Sequence, residues 1–341
     1  MRVGFNPLKN KKTSSANYLH QVIIPVYIPN FQDYFQDSFR ILKLCVNSLL
    51  DTVHEKTFIT IVNNGSCFEV QKYLNSLFEN NKIHEIIHTE NIGKLNAVLK
   101  GISGNNIPYI TISDFDVLFC KNWQNETMKI FNSFKKSGVV GTTPQFKMYE
   151  QYCGNVLFEK YFSKQLKFTK VEQPLDLEKF YFSIGWTNDY NQDYLKYNLS
   201  IQNKNGKALL GSGHFIATYS RVLFKEIPTF FNFKMGGNSE AFLDSVALEK
   251  GLWRLTTTGN YTFHMGNVFE TWMDNTEISV EKSNLMDYNL YNNDYKYVKK
   301  ISKFQFLIKN KLFPKLLFST FIFKKLFYIR FKLPKNMIKN Y

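Results

Sequence analysis

Short apolar runs alternate with segments of helical periodicity over the first part of the chain. The runs predict strands at residues 22–27, 58–62, 84–88, 109–113 and 139–142. Between them, apolar residues spaced three or four apart predict helices at about residues 37–50, 67–79, 95–101 and 125–136. Strand–helix alternation of this kind is typical of an α/β fold, in which helices cover both faces of a parallel sheet.

The second half of the chain is less regular. Residues 145–205 are rich in aromatic and polar side chains without clear periodicity, so we expect an irregular excursion on the substrate side. Glycines then lead into a strand near residues 210–217. A helix is predicted from Ser239, a favourable N-cap, to Lys250, with Gly251 as its stop. Two further strands are expected at residues 253–256 and 261–264.

Polar clusters follow three of the predicted strands, at residues 63–66, 91–94 and 114–116. The carboxyl ends of parallel strands lie at one edge of a sheet, which is where ligands bind. Asp114 and Asp116 lie on the same face of an extended segment, and two adjacent carboxylates repel each other unless a cation is present. The pair predicts Mg²⁺ or Mn²⁺ held with substrate phosphates. Taken alone, a polar turn after a buried strand explains the pair equally well.

Composition and charge narrow the class of protein. The chain has 341 residues, of which 44% are hydrophobic, so it can bury a large core. The net charge of +15 requires an anionic partner, and residues 301–341 carry nine Lys and one Arg without any Asp or Glu. The four cysteines form no CxxC motif, which favours a reducing compartment. No apolar stretch is long enough for a transmembrane helix, and the polar N-terminus is unlike a secretory signal.

The ordered motifs resemble those of glycosyltransferase family 2, the nucleotide-sugar glycosyltransferases of the GT-A fold. The resemblance covers roughly residues 19–270. Its marks are residues 22–25, 62–66, 90–94 and 114–116, the Glu240…Asp244 pair before Gly251, and residues 264–267. The resemblance implies a Rossmann-like, mixed and mostly parallel sheet flanked by helices. The chain departs from the family pattern in two places. The family usually has an acidic residue or Asn at the position of Asn63 and Asn64, and here both are Asn, so a carboxylate is missing. The family often has an adjacent Glu-Asp pair, and here Glu240 and Asp244 are four residues apart.

The resemblance also implies an activity. The implied enzyme is a metal-dependent, inverting hexosyltransferase. It uses Mn²⁺ or Mg²⁺ and a nucleotide-sugar donor, and a UDP-sugar is the favoured donor. The expected acceptor is a hydroxyl of a growing, lipid-linked cell-surface glycan such as lipopolysaccharide, O-antigen or capsule.

The family's site residues can be carried over to matching positions. Glu240 or Asp244 is the expected catalytic base, and Asp116 and His264 are the expected metal ligands. Each has a structural alternative: Glu240 suits a helix N-terminus, His264 could bond a backbone carbonyl, and Lys94 could be solvated. The residues expected to contact the donor are Pro25, Val26, Asn63, Asn64, Asn91, Lys94, Ser113, Asp114, Phe115, Gly213 and His214.

We divide the chain into a flexible arm (residues 1–17), a catalytic domain (18–280) and a basic, aromatic-rich helical tail (281–341). Within the catalytic domain, residues 18–143 form the nucleotide-binding half and residues 144–280 the acceptor-binding half. The tail has three interpretations: a helical appendage packed on the domain, an interfacial segment on an anionic membrane, or a nucleic-acid-binding segment. The last is least favoured because no nucleic-acid-binding module is visible. We therefore expect a cytoplasmic enzyme, peripheral on the inner face of the membrane, that binds no nucleic acid.

Two other functions remain open from the sequence. A nucleotidyltransferase acting on a sugar phosphate also uses a nucleotide-binding sheet and acidic metal ligands, but usually carries a Gly-rich basic loop after its first strand. Here that loop is residues 26–30, without such a signature. The other is a non-catalytic, basic membrane-binding protein built on a transferase-like fold.

Overall fold

A computed structural model describes residues 4–10, 17–187, 189–235, 239–275, 288–291, 298 and 300–341, with the backbone alone at residues 239, 240, 275 and 289. The predicted arm (1–17) and the start of the predicted tail fall partly outside these residues. So does the loop at residues 236–238.

The described residues form strands and helices in the alternating order expected at the start of the chain. The strands are β1 (His20–Val26), β2 (Thr57–Asn64), β3 (Glu85–Thr89), β4 (Tyr109–Ser113), β5 (Val117–Phe119), β6 (Ser137–Gly141), β7 (Leu166–Lys170), β8 (Tyr197–Asn203), β9 (Gly206–Leu210), β10 (Ile216–Ser220), β11 (Trp253–Thr256) and β12 (Thr262–His264). The α-helices are α1 (Ser38–Thr52), α2 (Phe68–Glu79), α3 (Lys94–Ile102), α4 (Trp123–Ser133), α5 (Gly154–Lys160), α6 (Pro174–Ser183), α7 (Ser239–Glu249), α8 (Trp272–Asn275), α9 (Lys303–Leu307), α10 (Phe313–Phe318) and α11 (Phe321–Arg330). A π-helical turn joins α9 to α10.

A ten-stranded sheet has the order β3-β2-β1-β4-β10-β6-β11-β9-β8-β7. Strands β3, β2, β1, β4, β6, β11 and β8 run in one direction, and β10, β9 and β7 run in the other. The central strands β1, β4, β6 and β10 are buried along their whole length, and none of them contains Asp, Glu, Lys or Arg. The predicted mixed, mostly parallel sheet is confirmed.

Helices cover both faces of this sheet, and the side-chain alternation of β1 separates the two layers. Val22 and Ile24 pack with α1, α2 and α6, whereas Ile23 packs with α3 and α7. A third cluster joins β8, β9 and β11 to α4, α5 and the C-terminal helices. The predicted C-terminal helices are therefore present and contribute to a core.

The interpretation of residues 145–205 as irregular is wrong. This segment holds α5, β7, α6 and all of β8, and β7 and β8 form one end of the sheet. The signal of β7 is weak because its alternation of buried and partly exposed residues extends over only five residues. In α6 the buried stripe of Leu177, Phe180 and Tyr181 is obscured by exposed Leu175 and Phe182. Across the described part of the chain, no helix is long and apolar enough to cross a membrane.

Candidate active site

A cleft of about 260 Å³ opens where β1, β2 and β4 end. The sequence analysis placed several of its lining residues in the site: Pro25, Val26, Asn64, Asn91, Lys94, Asp114, Phe115 and Asp116. The remaining lining residues were not predicted as site residues: Tyr27, Tyr34, Phe35, Lys234, Met235, Gly266 and Asn267. The polar segments after neighbouring strands thus meet at one edge of the sheet.

Asn64 connects two of these segments. Its side-chain oxygen accepts a hydrogen bond from the Ile92 backbone N–H at 3.0 Å. The turn after Asn64 lies very close to the second segment. A Cβ added at Gly65 would lie 2.8 Å from the Asn91 backbone nitrogen, and Gly65 has a φ of +89°. Only glycine allows this approach, so the turn at Gly65 fixes the distance between the two loops.

Two residues that were predicted to contact the donor are buried and hydrogen-bonded within the protein. Asn63 is buried and does not line the cleft: its amide oxygen accepts from the Ser66 N–H at 2.9 Å, and its amide nitrogen lies 3.0 Å from His88 Nδ1. Ser113 is fully buried, and its hydroxyl donates to the Asp114 carbonyl oxygen at 2.9 Å. These hydrogen bonds help to fix the loops at the strand ends.

Lys94, the first residue of α3, forms an ion pair with Asp114 at 2.5 Å. Both side chains are about one-fifth exposed, so this pair is partly shielded from solvent. The alternative of a solvated Lys94 is therefore wrong. The pair places a cationic group beside the two carboxylates at the floor of the cleft.

Asp114, Asp116 and His264 form a group whose ligand atoms all lie within 4.8 Å of one another. Strands β5 and β12 pair in antiparallel fashion with His264 opposite Val117, and this pairing brings His264 beside Asp116. His264 Nε2 is 3.5 Å from Asp116 Oδ2, and the Met265 N–H donates to the Asp116 carbonyl oxygen at 2.7 Å. The predicted ligands Asp116 and His264 thus meet, with Asp114 as a third possible ligand.

The electrostatics of Asp116 favour a bound cation. Burial, opposed by His264 and Lys94 and assisted by the neighbouring Asp114 carboxylate, raises the pKa of the Asp116 carboxyl to about 6. Within the described residues, its Oδ1 is buried without a hydrogen-bond donor. A buried carboxylate oxygen without a partner is costly, and a metal ion would satisfy it. Two carboxylates and an imidazole fit a divalent ion, and the nitrogen ligand suits Mn²⁺ better than Mg²⁺.

A second polar cluster surrounds Asp244 of α7. Its carboxylate pairs with the buried guanidinium of Arg254, which also donates to the Ser212 carbonyl oxygen at 2.6 Å. His214 Nδ1 lies 3.7 Å from the other Asp244 oxygen. Gly213 and His214 are not among the residues that line the cleft: His214 lies beside Asp244, and Gly213 lies against the side chain of Gln145. The sequence analysis missed Arg254, although a charged residue inside a short apolar strand signals a buried partner.

Glu240 lies in the first turn of α7, and its side chain is outside the described part of the chain. The helix that carries it is fixed one turn later by the pair between Asp244 and Arg254. The position of the predicted base is therefore set by packing between α7 and β11.

Comparisons with known proteins identify the family. The family model for glycosyl transferase family 2 matches residues 22–227, which is more than half of the chain. No curated protein matches the sequence.

Solved structures show similarity at low identity. One is TarS 1–349 of S. aureus in complex with UDP-GlcNAc, with 13% identity, a TM-score of 0.43, and coverage of 76% of this chain and 64% of that chain. Another is the mannosyltransferase PcManGT from Pyrobaculum calidifontis in complex with GDP-Man and Mn²⁺, with 12% identity, a TM-score of 0.40, and coverage of 72% and 57%. The chain thus spans less than two-thirds of either structure. The family match and the mixed sheet described above confirm the fold class expected from the motifs, and this chain belongs to glycosyl transferase family 2.

Proposed function

We propose that this protein transfers a sugar from a nucleotide-sugar donor to a hydroxyl group with the help of a divalent metal ion. The observation that carries the proposal is the group of Asp114, Asp116 and His264 beside a cleft at the carboxyl edge of the sheet. Membership of glycosyl transferase family 2 supports the same reaction.

Different residues of the cleft would contact different parts of the donor. Asp116 and His264 would hold the metal, with Asp114 as a third ligand or a ribose contact. The metal, when bound, acts as a Lewis acid that stabilises the charge developing on the departing nucleoside diphosphate. Lys94 offsets the negative charge of Asp114 before the donor arrives. Asn64 presents an amide to the cleft that can pair with a uracil edge, and we therefore propose a UDP-sugar.

We assign the catalytic base to Glu240 rather than Asp244. Asp244 is mostly buried and paired with Arg254, so its carboxylate positions α7. Glu240 would accept the proton of the acceptor hydroxyl while that oxygen bonds to the anomeric carbon. The bond from the anomeric carbon to the diphosphate breaks on the opposite side, so a single displacement inverts the configuration and releases the nucleoside diphosphate.

The proposal for the acceptor rests on the positive charge of the C-terminal segment. The basic C-terminal segment suits an enzyme that works at an anionic membrane, and a lipid-linked surface glycan is an acceptor found there. We propose that the enzyme is a hexosyltransferase at the cytoplasmic face of the membrane.

Kinetics of two variants test the assignment of the base. Glu240→Gln should keep Mn²⁺-dependent donor binding, while turnover with the donor falls at least about 100-fold, because general-base catalysis contributes that much. Asp244→Asn should instead lower the unfolding temperature through loss of the buried charge pair. Full turnover by Glu240→Gln would contradict the assignment, and turnover by neither the wild type nor any variant with any nucleotide sugar would contradict the proposed function.

A further inference from the structure

We propose that the outward face of the C-terminal helices docks on the surface of an anionic lipid bilayer. We call this surface the docking face and define it by Phe304, Leu316, Phe321, Ile322, Leu326 and Ile329. The proposal concerns where the protein works, and it is independent of the reaction proposed for the cleft.

The helices that carry the docking face are anchored to the body of the protein on their other side. Phe327 is fully buried, and its ring stacks on Tyr149 with centroids 5.8 Å apart. Phe331 packs edge-on against Tyr161 at 5.5 Å, and the Phe331 carbonyl oxygen accepts a hydrogen bond from the Phe168 N–H. The outward residues are therefore held in a fixed arrangement by a packed inner face.

The outward side chains are apolar and more than half exposed. Phe304 is 70% exposed, Ile322 is 69% exposed, and the other four residues of the docking face range from 51% to 64%. On α11, Ile322, Leu326 and Ile329 follow one another at spacings of four and three, so they form one stripe along the helix. A concentration of exposed large apolar residues on packed helices is typical of an interaction surface.

The positive charge around the docking face favours an anionic partner. Residues 301–341 carry ten basic side chains and no acidic ones, so this segment holds two-thirds of the net charge of +15. Glu159 pairs with Lys309, and Glu150 lies 4.0 Å from Lys324. In the described part of the chain, no carboxylate lies within 4.0 Å of Lys311, Lys315 or Lys325. These ammonium groups remain available to an anionic surface.

A bilayer surface satisfies both features at once. Branched aliphatic and phenyl side chains can enter the acyl boundary while lysines contact lipid phosphates, as in helices that lie in the interface. Base stacking would favour aromatic side chains over Leu and Ile, so a nucleic acid accounts for the charge but not for the aliphatic stripe. A second copy of the chain is a poor match, because it would bring the same positive charge against itself.

Sedimentation of the full-length protein with vesicles tests the proposal. The wild type should bind vesicles of phosphatidylcholine and phosphatidylglycerol, bind vesicles of phosphatidylcholine alone much less, and lose affinity as salt rises. The triple variant Ile322→Ser, Leu326→Ser, Ile329→Ser should bind at least about tenfold more weakly, because three apolar side chains no longer enter the acyl boundary. Phe68→Ser is the matched control, since Phe68 is 74% exposed on α2 and should not affect binding.

A charge variant keeps the proposal testable if the triple variant folds poorly. Lys311→Glu, Lys315→Glu, Lys325→Glu alters exposed side chains only and should abolish the preference for anionic vesicles. Circular dichroism and Mn²⁺-dependent nucleotide binding should be unchanged in both variants. Three binding results for the wild type would overturn the proposal: no binding to vesicles, equal binding to both vesicle types, or binding to RNA instead. Dimerisation through the docking face in the absence of vesicles would overturn it as well.

Discussion

Folding favours the protonated form of the Asp116 carboxyl, whereas metal binding requires the ionised form. A carboxyl group that is buried without a hydrogen-bond donor at Oδ1 costs folding free energy when it ionises, and this is why its pKa is raised to about 6. The same ionised, unsatisfied oxygen is what a divalent cation requires. Asp116 is therefore suited to bind a cation, but it lowers the stability of the metal-free protein.

The substitution Asp116→Asn should stabilise the metal-free protein at neutral pH. Because the folded pKa lies above the unfolded value of 3.8, the stability that Asp116 contributes is present at low pH and is lost as pH rises through about 6. The variant should gain on the order of 2 kcal/mol over the wild type at pH 7.5 and almost nothing at pH 4. Urea unfolding in the presence of a chelator measures both values. A wild type that is as stable as the variant at pH 7.5 would show that the carboxylate has another partner.

Single residues of the site were predictable to different degrees. Asp114 and Asp116 follow a buried strand at a spacing that the sequence displays directly. His264 could be paired with them only through family resemblance, because its proximity depends on the register between β5 and β12. Tyr34 and Phe35 line the same cleft from a single 3₁₀ turn, and Lys234 lines it from a loop. No local pattern reveals where side chains on such short connecting segments come to lie.

At the scale of elements, close approach between loops builds the cleft. The start of α3 touches the segment at residues 233–235: the Lys94 N–H donates to the Lys234 carbonyl oxygen at 2.9 Å. Gly93 has a φ of +90°, and an added Cβ would lie 2.7 Å from the Lys234 Cα. Both the backbone conformation and the lack of space require glycine here.

Gly93→Ala should therefore displace the wall of the cleft that contains Lys234 and Met235. We expect a loss of stability on the order of 2 kcal/mol and weaker binding of nucleotide with Mn²⁺. Gly104→Ala is a matched control, since Gly104 has a φ of +82° but nothing within 4 Å of an added Cβ. Thermal unfolding and calorimetry distinguish the two. Equal losses of nucleotide affinity in both variants would mean that backbone strain alone, rather than contact with Lys234, is responsible.

The pair between Arg254 of β11 and Asp244 of α7 should behave as a buried structural ion pair. Arg254→Met should lower the free energy of unfolding by about 3–5 kcal/mol, because it leaves the Asp244 carboxylate without its cation. The double variant Arg254→Met, Asp244→Leu should recover most of that loss. Chemical denaturation of both variants provides the test. A double variant as unstable as Arg254→Met would show that the two residues do not act as a pair.

Elements were predicted well wherever a helix or strand has one clear apolar period. The strands β1, β2, β3 and β4 and the helices between them lie within a few residues of their predicted bounds. Strands β1, β2 and β4 are buried almost throughout, which makes their apolar runs clear. The elements between residues 145 and 205 escaped prediction, since their apolar residues divide between a core and the surface. The exposed Leu175 and Phe182 on α6 illustrate how such residues hide a buried stripe.

Across the whole molecule, a buried hydrogen-bond chain joins the sheet to the segment Tyr288–Tyr291. The Lys56 N–H donates to His54 Nδ1, so His54 Nε2 carries the proton and donates to the Tyr291 hydroxyl at 3.0 Å. That hydroxyl can then donate to His20 Nδ1 at 3.0 Å, and His20 Nε2 to the Thr111 hydroxyl at 2.6 Å. The Lys56 N–H requires His54 to be neutral, and a donor hydroxyl at Tyr291 makes His20 neutral as well.

Acid should therefore destabilise the protein through these histidines. Burial, followed by the charge of Lys56, lowers the pKa of His54 to about 4, and burial lowers that of His20 as well. Because the unfolded chain binds these protons more readily, stability should fall as pH drops from about 7 toward 4, with His54 contributing on the order of 3 kcal/mol.

Comparison with His54→Gln isolates this contribution. The difference in unfolding free energy between pH 7 and pH 4.5 should be smaller in the variant than in the wild type. An identical pH dependence in the two proteins would show that His54 is not held neutral by its buried position.

The most direct test of the central claim is calorimetric titration of the protein with UDP, GDP, CDP and dTDP, each with Mn²⁺ and with a chelator. One nucleoside diphosphate, expected to be UDP, should bind when Mn²⁺ is present and lose most of its affinity when the metal is removed. Asp116→Asn and His264→Ala should abolish the metal-dependent part, because they remove two of the three clustered ligands. Binding that is absent for every nucleotide, or that is unchanged by chelator and by both substitutions, would contradict a metal-dependent nucleotide-sugar site in this cleft.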